Sequence, residues 1–226
     1  ADGQYYVVHI AEDVAAWVDE LGAGRVHLVG HDRGAVIAMA AANLIPDRVA
    51  SLTTLGVPPL HRIGAMLRHR PSTLSNLSYM GFFQLPILAE RKLLAHDGRA
   101  IRALWASWSP TWTVPEPEMR AVLDTLGQPG VGRAALSYYR QLPKLLSAPG
   151  RRSWGLLRAC VQAPTLAITG ELDGCMPSTL YDVAISPAPF ATEIRVERME
   201  GVGHFPHQEQ PARFNRLLID WLAAHS

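Results

Sequence analysis

The chain has little cysteine, no long apolar run and no excess of charge of either sign. Its two cysteines, Cys160 and Cys175, fit neither a disulfide framework nor the ligand spacing of a zinc site. No stretch contains eighteen consecutive apolar residues, and the first residues lack a basic region followed by an apolar leader. These absences predict a cytoplasmic protein without membrane contact, unless a signal sequence precedes residue 1. No metal or cofactor is expected.

Charge and hydrophobicity limit the choice further. The 226 residues include 21 Lys and Arg against 20 Asp and Glu, and no basic cluster is interleaved with aromatic residues. Nucleic acid is therefore not an expected partner. The hydrophobic fraction of 48% is sufficient for one large core, and alternating apolar patterns predict an α/β domain that carries an insertion.

The most informative motif is Gly-His-Asp-Arg-Gly at residues 30–34. An apolar, β-branched run over residues 25–29 precedes it, and an almost uncharged stretch typical of a buried helix follows over residues 35–43. This order of strand, turn and helix is that of the nucleophile elbow, usually Gly-x-Ser-x-Gly, with Asp32 in the serine position. A carboxylate attacks through oxygen and forms an alkyl ester, so displacement at a saturated carbon is expected. The alternative is an ordinary turn aspartate that caps the helix.

Further strands and helices are predicted on both sides of the motif. Apolar residues at positions 14, 17, 18 and 21 predict an amphipathic helix that ends at Gly22. Strands are predicted at 49–55, 164–169 and 192–199, the first of them central and parallel. The last segment places apolar residues on one helical face: Phe214, Leu217, Leu218, Trp221 and Leu222.

The segment from 60 to 150 differs in character. It lacks strand patterns, is rich in aromatic residues and predicts helices at 92–105, 116–126 and 131–142. We therefore predict that residues 1–59 and 151–226 form the core and that residues 60–150 form a helical cap.

Two loop residues complete a candidate catalytic set. Asp173 follows the third predicted strand, and His204 follows the last one and precedes the final helix. Functional loops of open α/β sheets lie beyond the carboxyl ends of the strands. The chain order nucleophile, acid, histidine is that of α/β-hydrolases. His207 is a competitor for the histidine role, although the glycines around His204 favour the latter.

Together these motifs resemble those of α/β-hydrolase-fold epoxide hydrolases over nearly the whole chain. The likeness rests on Gly-His-Asp-Arg-Gly, on Thr-Gly-Glu-Leu-Asp ending at Asp173, and on Gly-His-Phe around His204. It extends to the cap, where residues 79–86 and 135–140 resemble the two lid-tyrosine motifs of that family. The resemblance implies that Tyr79 and Tyr139 are the lid pair, with the adjacent Tyr138 as the competing assignment and plain aromatic packing as the other interpretation.

The resemblance also implies a mechanism and a substrate. Asp32 would attack an epoxide carbon while the two phenols stabilise the ring oxygen, and His204, oriented by Asp173, would activate water to release a diol. The backbone N–H of Arg33 would form half of the oxyanion hole. A small apolar epoxide and water are the expected reactants, and His31, Phe83, Trp105 and Trp108 are expected to line the pocket.

The sequence departs from the family pattern at its beginning. No His-Gly-x-Pro loop, which supplies the other half of the oxyanion hole, precedes Asp32. We therefore expect an incomplete molecule that lacks N-terminal strands of the sheet, with a missing segment or a second copy in a homodimer supplying the rest.

Two other functions remain open. Haloalkane dehalogenases carry tryptophan where this chain has Arg33, and fluoroacetate dehalogenases carry a second arginine where it has Val36. A non-catalytic relative or binding module is the alternative from another class, because part of the oxyanion hole is absent from the sequence.

Overall fold

The computed structural model describes residues 5–185 and 192–226, and within them four strands form one parallel sheet. The strands are β1 (Val26–His31), β2 (Val49–Leu55), β3 (Thr165–Gly170) and β4 (Ile194–Met199). Their order is β1-β2-β3-β4, so the four predicted strands are confirmed. Because all run in one direction, the loops that follow them emerge at the same end of the sheet.

Burial distinguishes the middle of the sheet from its sides. Every residue of β2 and β3 is buried, which confirms that the strand at 49–55 is central. β1 and β4 lie at the two sides of the described sheet, and Val29 of β1 is 46% exposed. β-branched and apolar residues suit strands that are covered on both faces.

Helices connect the strands. Those before the predicted cap are α1 (Val7–Glu20) and α2 (Arg33–Leu44). The central segment forms α3 (Ile63–His69), α4 (Thr73–Asn76), α5 (Tyr79–Phe82), α6 (Leu88–Trp108), α7 (Glu116–Gly127), α8 (Val131–Arg140) and α9 (Ala148–Arg158). The last part forms α10 (Leu180–Ile185), α11 (Pro206–Glu209) and α12 (Pro211–Ala224).

The sheet is covered on both faces. On one face α2 packs against β1, β2, α1 and α9, in a core rich in alanine and valine. On the other face α12 inserts Phe214 and Trp221 against Leu166, Ile168 and Met199. The final predicted helix and its apolar face are therefore confirmed, and the two layers of helices hold the strand ends in fixed positions.

The first helix differs in detail from its predicted pattern. It begins at Val7 and buries Val8, Ala11 and Val18, whereas Trp17 and Leu21 are 65% and 74% exposed. The buried stripe therefore continues from Val7 and Ala11 through Val14 and Val18, and Trp17 and Leu21 of the predicted face lie outside it. The helix ends as expected, since Gly22 follows it with φ of 62°.

The central segment is helical, as its sequence predicts, with its own apolar cluster that includes Leu93, Ile101, Met119 and Leu123. The helix predicted at 92–105 is not continuous, because backbone angles at residues 95–98 are non-helical and Gly98 has φ of 68°. A Cβ on Gly98 would lie 2.2 Å from a methyl carbon of Leu123, so this break allows a close approach of α6 to α7. α9 crosses the predicted boundary at residue 150, and the division into cap and core stays a prediction.

Among the described residues, no helix is both long and apolar enough to span a bilayer.

Candidate active site

The turn between β1 and α2 has the strained geometry of a nucleophile elbow. Asp32 adopts φ 48° and ψ −118°, a conformation that is rare for a residue with a Cβ. Gly30 permits the turn, since a Cβ there would lie 2.3 Å from the carbonyl oxygen of Gly34. Strain of this kind persists only where the surrounding structure imposes it, and here it presents the Asp32 side chain at the end of the sheet.

The Asp32 carboxylate does not serve as a helix cap. It makes no capping hydrogen bond to α2, and its side chain is 30% exposed. Burial by itself would raise the pKa of Asp32, but His204 and the adjacent backbone N–H of Arg33 outweigh it and lower this pKa below the usual value. The group is therefore ionised at neutral pH, as a nucleophile must be.

Asp173 and His204 form a buried pair beside this turn. Nδ1 of His204 donates to Oδ2 of Asp173 at 2.9 Å, and neither side chain is exposed. The other oxygen of Asp173 accepts from the backbone N–H groups of Cys175 and Met176, both at 2.8 Å. The carboxylate is thus fixed on one side by its own loop and orients the imidazole with its other side.

The second ring nitrogen of His204 faces the proposed nucleophile. Nε2 lies 3.7 Å from Oδ1 of Asp32, beyond hydrogen-bond distance, and has no hydrogen-bond partner among residues 5–185 and 192–226. Burial lowers the pKa of His204, but the carboxylates of Asp173 and Asp32 outweigh burial and raise this pKa to about 10. The charges of Asp32, Asp173 and His204 thus stabilise one another.

Two residues that sequence reasoning missed hold the His204 loop in place. Ser109 Oγ accepts from the backbone N–H of His204 at 2.8 Å and donates to Glu209 at 2.8 Å. The Glu209 carboxylate also accepts from the N–H groups of Gly203 and Phe205, at 2.8 and 2.9 Å. Glu209 lies five residues after His204, and this short separation is the feature of the sequence that could have linked it to the site.

A cavity of about 240 Å³ opens in front of Asp32. Its wall is mostly apolar and includes Val36, Val57, Leu60, Ile63, Leu77, Leu142, Trp154 and Leu157. Asp32 and Arg33 are the charged residues among the described lining. A site of this size and polarity fits a small, mainly apolar molecule.

Tyr79 and Tyr139 reach this cavity from α5 and α8. Their rings lie 6.0 Å apart in an edge-to-face arrangement, and both line the cavity together with Asp32. Burial raises the pKa of both phenols, so they are neutral hydrogen-bond donors at physiological pH. The neighbouring Tyr138 points elsewhere, with its ring against Tyr5 at 5.3 Å.

Cys175 is a third residue of the site that the sequence did not assign to it. Its thiol lines the cavity and lies 3.9 Å from the Tyr79 hydroxyl. Burial and the Asp173 carboxylate raise the pKa of the thiol, so it is not an activated nucleophile. Its place two residues after Asp173 is the signal that links it to the site.

The four residues predicted to line the pocket lie behind its described wall. Phe83 packs on Tyr79 and Tyr139 at 5.3 and 5.0 Å between ring centres. Trp108 packs on Tyr79 and on His204, each at 5.3 Å, and Trp105 packs on Phe205 at 4.6 Å. Phe83 and Trp108 thus contact Tyr79, Tyr139 and His204, while the described cavity wall is formed by residues of other segments.

His31 is likewise turned away from the cavity. Its Nε2 donates to the backbone carbonyl oxygen of His204 at 2.8 Å, and its ring contacts His207 at 4.7 Å. Burial lowers the pKa of His31 to about 4. His207, the competing histidine, therefore packs beside His31, while His204 contacts Asp173.

The polar groups of the site are arranged for acid, base and nucleophile chemistry. In the described part of the chain, no group of three or more His, Cys, Asp or Glu side chains is placed to hold a metal ion. Asp32 and the two phenols line one apolar cavity, and His204 is buried beside Asp32, with its Nε2 3.7 Å from the carboxylate.

Comparison with known proteins gives consistent results. The model of the alpha/beta hydrolase family matches residues 3–217. The chain is 25% identical to human epoxide hydrolase 4 over 93% of its own length and 57% of that protein. It is 26% identical to epoxide hydrolase A of Mycobacterium tuberculosis over 96% of its length and 75% of that protein.

Solved structures share the fold. The epoxide hydrolase of Bacillus megaterium, in complex with an inhibitor, superposes with a TM-score of 0.77 and 22% identity, covering 99% of this chain and 78% of that one. The family model and the parallel sheet with its strand-end loops agree, and the chain belongs to the alpha/beta hydrolase family.

Proposed function

We propose that this chain carries the active site of an epoxide hydrolase that converts an epoxide to a vicinal diol through an ester on Asp32. The observation that carries the proposal is the single cavity onto which the Asp32 carboxylate and the phenols of Tyr79 and Tyr139 open. An anionic oxygen nucleophile and two neutral donors are the groups that opening an epoxide requires. The names of the human and mycobacterial relatives support the same activity.

The first step is alkylation of Asp32. A carboxylate oxygen attacks one epoxide carbon, the carbon–oxygen bond of the ring breaks, and its electron pair moves to the ring oxygen. Tyr79 and Tyr139 donate hydrogen bonds to that oxygen, and one of them transfers its proton. Since the cavity wall is mainly apolar, these hydrogen bonds act where water competes weakly.

The second step is hydrolysis of the ester. His204 takes a proton from water through Nε2, and the resulting hydroxide attacks the ester carbonyl of Asp32. The bond between the carbonyl carbon and the diol oxygen then breaks, and that oxygen takes the proton from His204 as the diol leaves. Asp173 holds the imidazole and stabilises its protonated form through the 2.9 Å hydrogen bond. The backbone N–H of Arg33 lies next to the Asp32 carboxylate, so it can stabilise the oxyanion of this step.

Alkylation of Asp32 also prepares His204 for its role. The Asp32 carboxylate is one of the groups that raise the pKa of His204. Conversion to a neutral ester removes this charge, so the pKa of His204 falls and the neutral, basic imidazole becomes more populated. The same reaction thus creates both the ester and the base that hydrolyses it.

The lining favours an apolar epoxide over a haloacid. Val36 lies on the cavity wall, so an apolar side chain occupies the position at which fluoroacetate dehalogenases have a second arginine. Trp108 contacts Tyr79 and His204 from behind the described wall. A substrate with one reactive oxygen and a hydrocarbon body fits these surroundings.

Trapping the ester tests the proposal. Purified wild-type chain and the His204→Gln and Asp32→Ala variants are incubated with styrene oxide and with 1,2-epoxyoctane, and intact mass and diol formation are recorded. We expect diol from the wild type, a covalent adduct of one epoxide on His204→Gln, and neither product from Asp32→Ala. Peptide mapping should place the adduct on Asp32.

Two results would contradict the proposal. Halide release from chloroalkanes or fluoroacetate without any diol from the epoxides would identify a dehalogenase. Binding of epoxides without an adduct on either the wild type or His204→Gln would identify a binding module.

A further inference from the structure

The Arg33 guanidinium occupies an unusual place between two reactive groups. It lines the cavity beside Asp32, and its Cζ atom lies 5.9 Å from the centre of the Tyr139 ring. One terminal nitrogen donates to the backbone carbonyl oxygen of Tyr138 at 3.1 Å. Nε is buried and has no hydrogen-bond partner in the described ranges 5–185 and 192–226. A guanidinium stays charged in proteins, so this is a partly buried cation held against α8.

The proposed reaction moves a negative charge through this part of the molecule. Before the reaction the charge is on Asp32, whose carboxylate faces His204 at 3.7 Å and also acts on the Arg33 guanidinium. When Asp32 attacks, its oxygen bonds to the epoxide carbon and the ring carbon–oxygen bond breaks. The ring oxygen takes the phenolic proton, leaving a neutral ester on Asp32 and a phenolate on tyrosine. A buried charge without a partner is costly, so the identity of the tyrosine depends on which phenol has a cation nearby.

The two phenols differ in this respect. Arg33 faces both phenols, but it is the Tyr139 ring whose centre lies 5.9 Å from its Cζ atom. The Tyr79 hydroxyl instead contacts the neutral thiol of Cys175 at 3.9 Å. Arg33 acts to lower the pKa of Tyr139, against the raising effect of burial, Asp32 and Cys175. The Tyr79 hydroxyl also acts to lower the pKa of Tyr139. The charged and titratable groups that face Arg33 are Asp32, Tyr79, Tyr138 and Tyr139.

Resting on the proposed function, we infer that Arg33 is a positioning residue: its guanidinium serves as the shared counter-cation of Asp32 and Tyr139, which makes Tyr139 the proton donor in epoxide opening. The negative charge passes from one neighbour of Arg33 to the other, and the cation itself does not move. Hydrolysis of the ester regenerates the Asp32 acid, whose proton returns to the Tyr139 phenolate and restores the starting state. Tyr79 contributes a hydrogen bond to the ring oxygen and keeps its proton.

Alkylation rates in Arg33 variants test this role. The rate of adduct formation with styrene oxide is followed by intact mass in the His204→Gln background, where the ester persists. Arg33→Met keeps a long side chain without charge, and Arg33→Lys keeps the charge. We expect Arg33→Met to slow alkylation about a hundredfold, as for loss of one electrostatic contact to a transition state. Arg33→Lys should be alkylated at least tenfold faster than Arg33→Met, a difference that corresponds to about 1.4 kcal/mol.

A double-mutant cycle identifies the tyrosine through which Arg33 acts. Arg33→Met is combined separately with Tyr139→Phe and with Tyr79→Phe. Its effect on alkylation should shrink several-fold when Tyr139 is already Phe and stay near a hundredfold when Tyr79 is Phe. Hydrolysis of the ester, measured with His204 present, should change much less than alkylation in Arg33→Met. A merely structural tether to Tyr138 would affect both steps and both backgrounds alike.

The outcomes separate the two proposals. Three results would overturn the counter-cation role and leave the epoxide hydrolase proposal intact. They are equal alkylation rates of Asp32 with Arg or Met at position 33, equal losses of rate for Arg33→Met and Arg33→Lys, and equal effects of Arg33→Met in the two tyrosine backgrounds. Absence of any adduct when Arg33 is present and only His204 is replaced would overturn the proposed function, and the counter-cation role with it.

Discussion

The His31 side chain holds the backbone of His204, with Nε2 donating to its carbonyl oxygen at 2.8 Å. The two residues are 173 positions apart: His31 is the last residue of β1, and His204 lies in the loop between β4 and α11. One histidine thus supports the peptide that carries the other, and it is the second that is hydrogen-bonded to the Asp173 carboxylate. Since burial lowers the pKa of His31 to about 4, His31 is neutral at physiological pH.

This contact predicts a loss of stability in mild acid. The unfolded chain binds a proton on His31 near pH 6.5, whereas the folded chain binds it only near pH 4. The unfolding free energy should therefore fall as pH decreases between these values, by about 3 kcal/mol for this residue. Urea titrations across this range should show a shallower decline for His31→Gln. Identical pH dependence in both chains would contradict the prediction.

The elbow predicts opposite outcomes for its two glycines. A Cβ at residue 30 would collide with the backbone of Gly34, whereas a Cβ at residue 34 has no heavy atom within 4 Å among the atoms considered. Gly30→Ala should cost about 1–3 kcal/mol of unfolding free energy. Gly34→Ala, within α2, should change stability by less than about 1 kcal/mol. Urea unfolding of the two variants measures the difference, and equal losses would show that the close approach is unimportant.

Replacing Asp32 by Asn should change the titration of His204. The carboxylates of Asp173 and Asp32 raise the pKa of His204 to about 10. We expect Asp32→Asn, which imitates the neutral ester in charge, to lower this pKa by at least one unit, as loss of a nearby opposite charge does. NMR titration of the imidazole provides the measurement, with Asp220→Asn on the exposed side of α12 as the control. An unchanged pKa in Asp32→Asn would mean that esterification does not activate the base.

The two cysteines should react with alkylating agents at different rates. Cys160 is exposed, whereas Cys175 is buried and has a raised pKa. Since the thiolate is the reactive form, iodoacetamide should modify Cys160 at least about tenfold faster. Mass mapping of the folded chain gives the two rates, and the urea-unfolded chain, where both sites should react alike, is the control. Rapid modification of Cys175 in the folded chain would contradict its burial.

Much of this architecture was predictable because it depends on local sequence. The strands and the elbow follow from short apolar runs and from the glycines around Asp32. Asp173 and His204 could be located because parallel strands bring their following loops to one end of the sheet. The structure brings these three residues together as the chain order suggested.

The parts that the sequence did not reveal depend on distant contacts. Trp154 and Leu157 line the cavity from α9, whereas Phe83 packs on the two lining tyrosines and Trp105 packs on Phe205. The break in α6 reflects the approach of Gly98 to Leu123, which are 25 positions apart in sequence. No local periodicity encodes such packing, so aromatic composition alone could not distinguish the wall from its support.

The residues around the cavity come from different segments of the chain, and this affects which substitutions can alter its substrate preference. Asp32, Asp173 and His204 stand on turns whose backbones are fixed by the paired strands. Tyr79, Met80 and Leu142 reach the cavity from a separate stretch of helices and loops. In the proposed mechanism the nucleophile and the base are therefore encoded in different stretches of the gene from the two phenols and part of the cavity wall. Substitutions at wall positions such as Met80 and Leu142 can change substrate preference while the strand-end turns are left untouched.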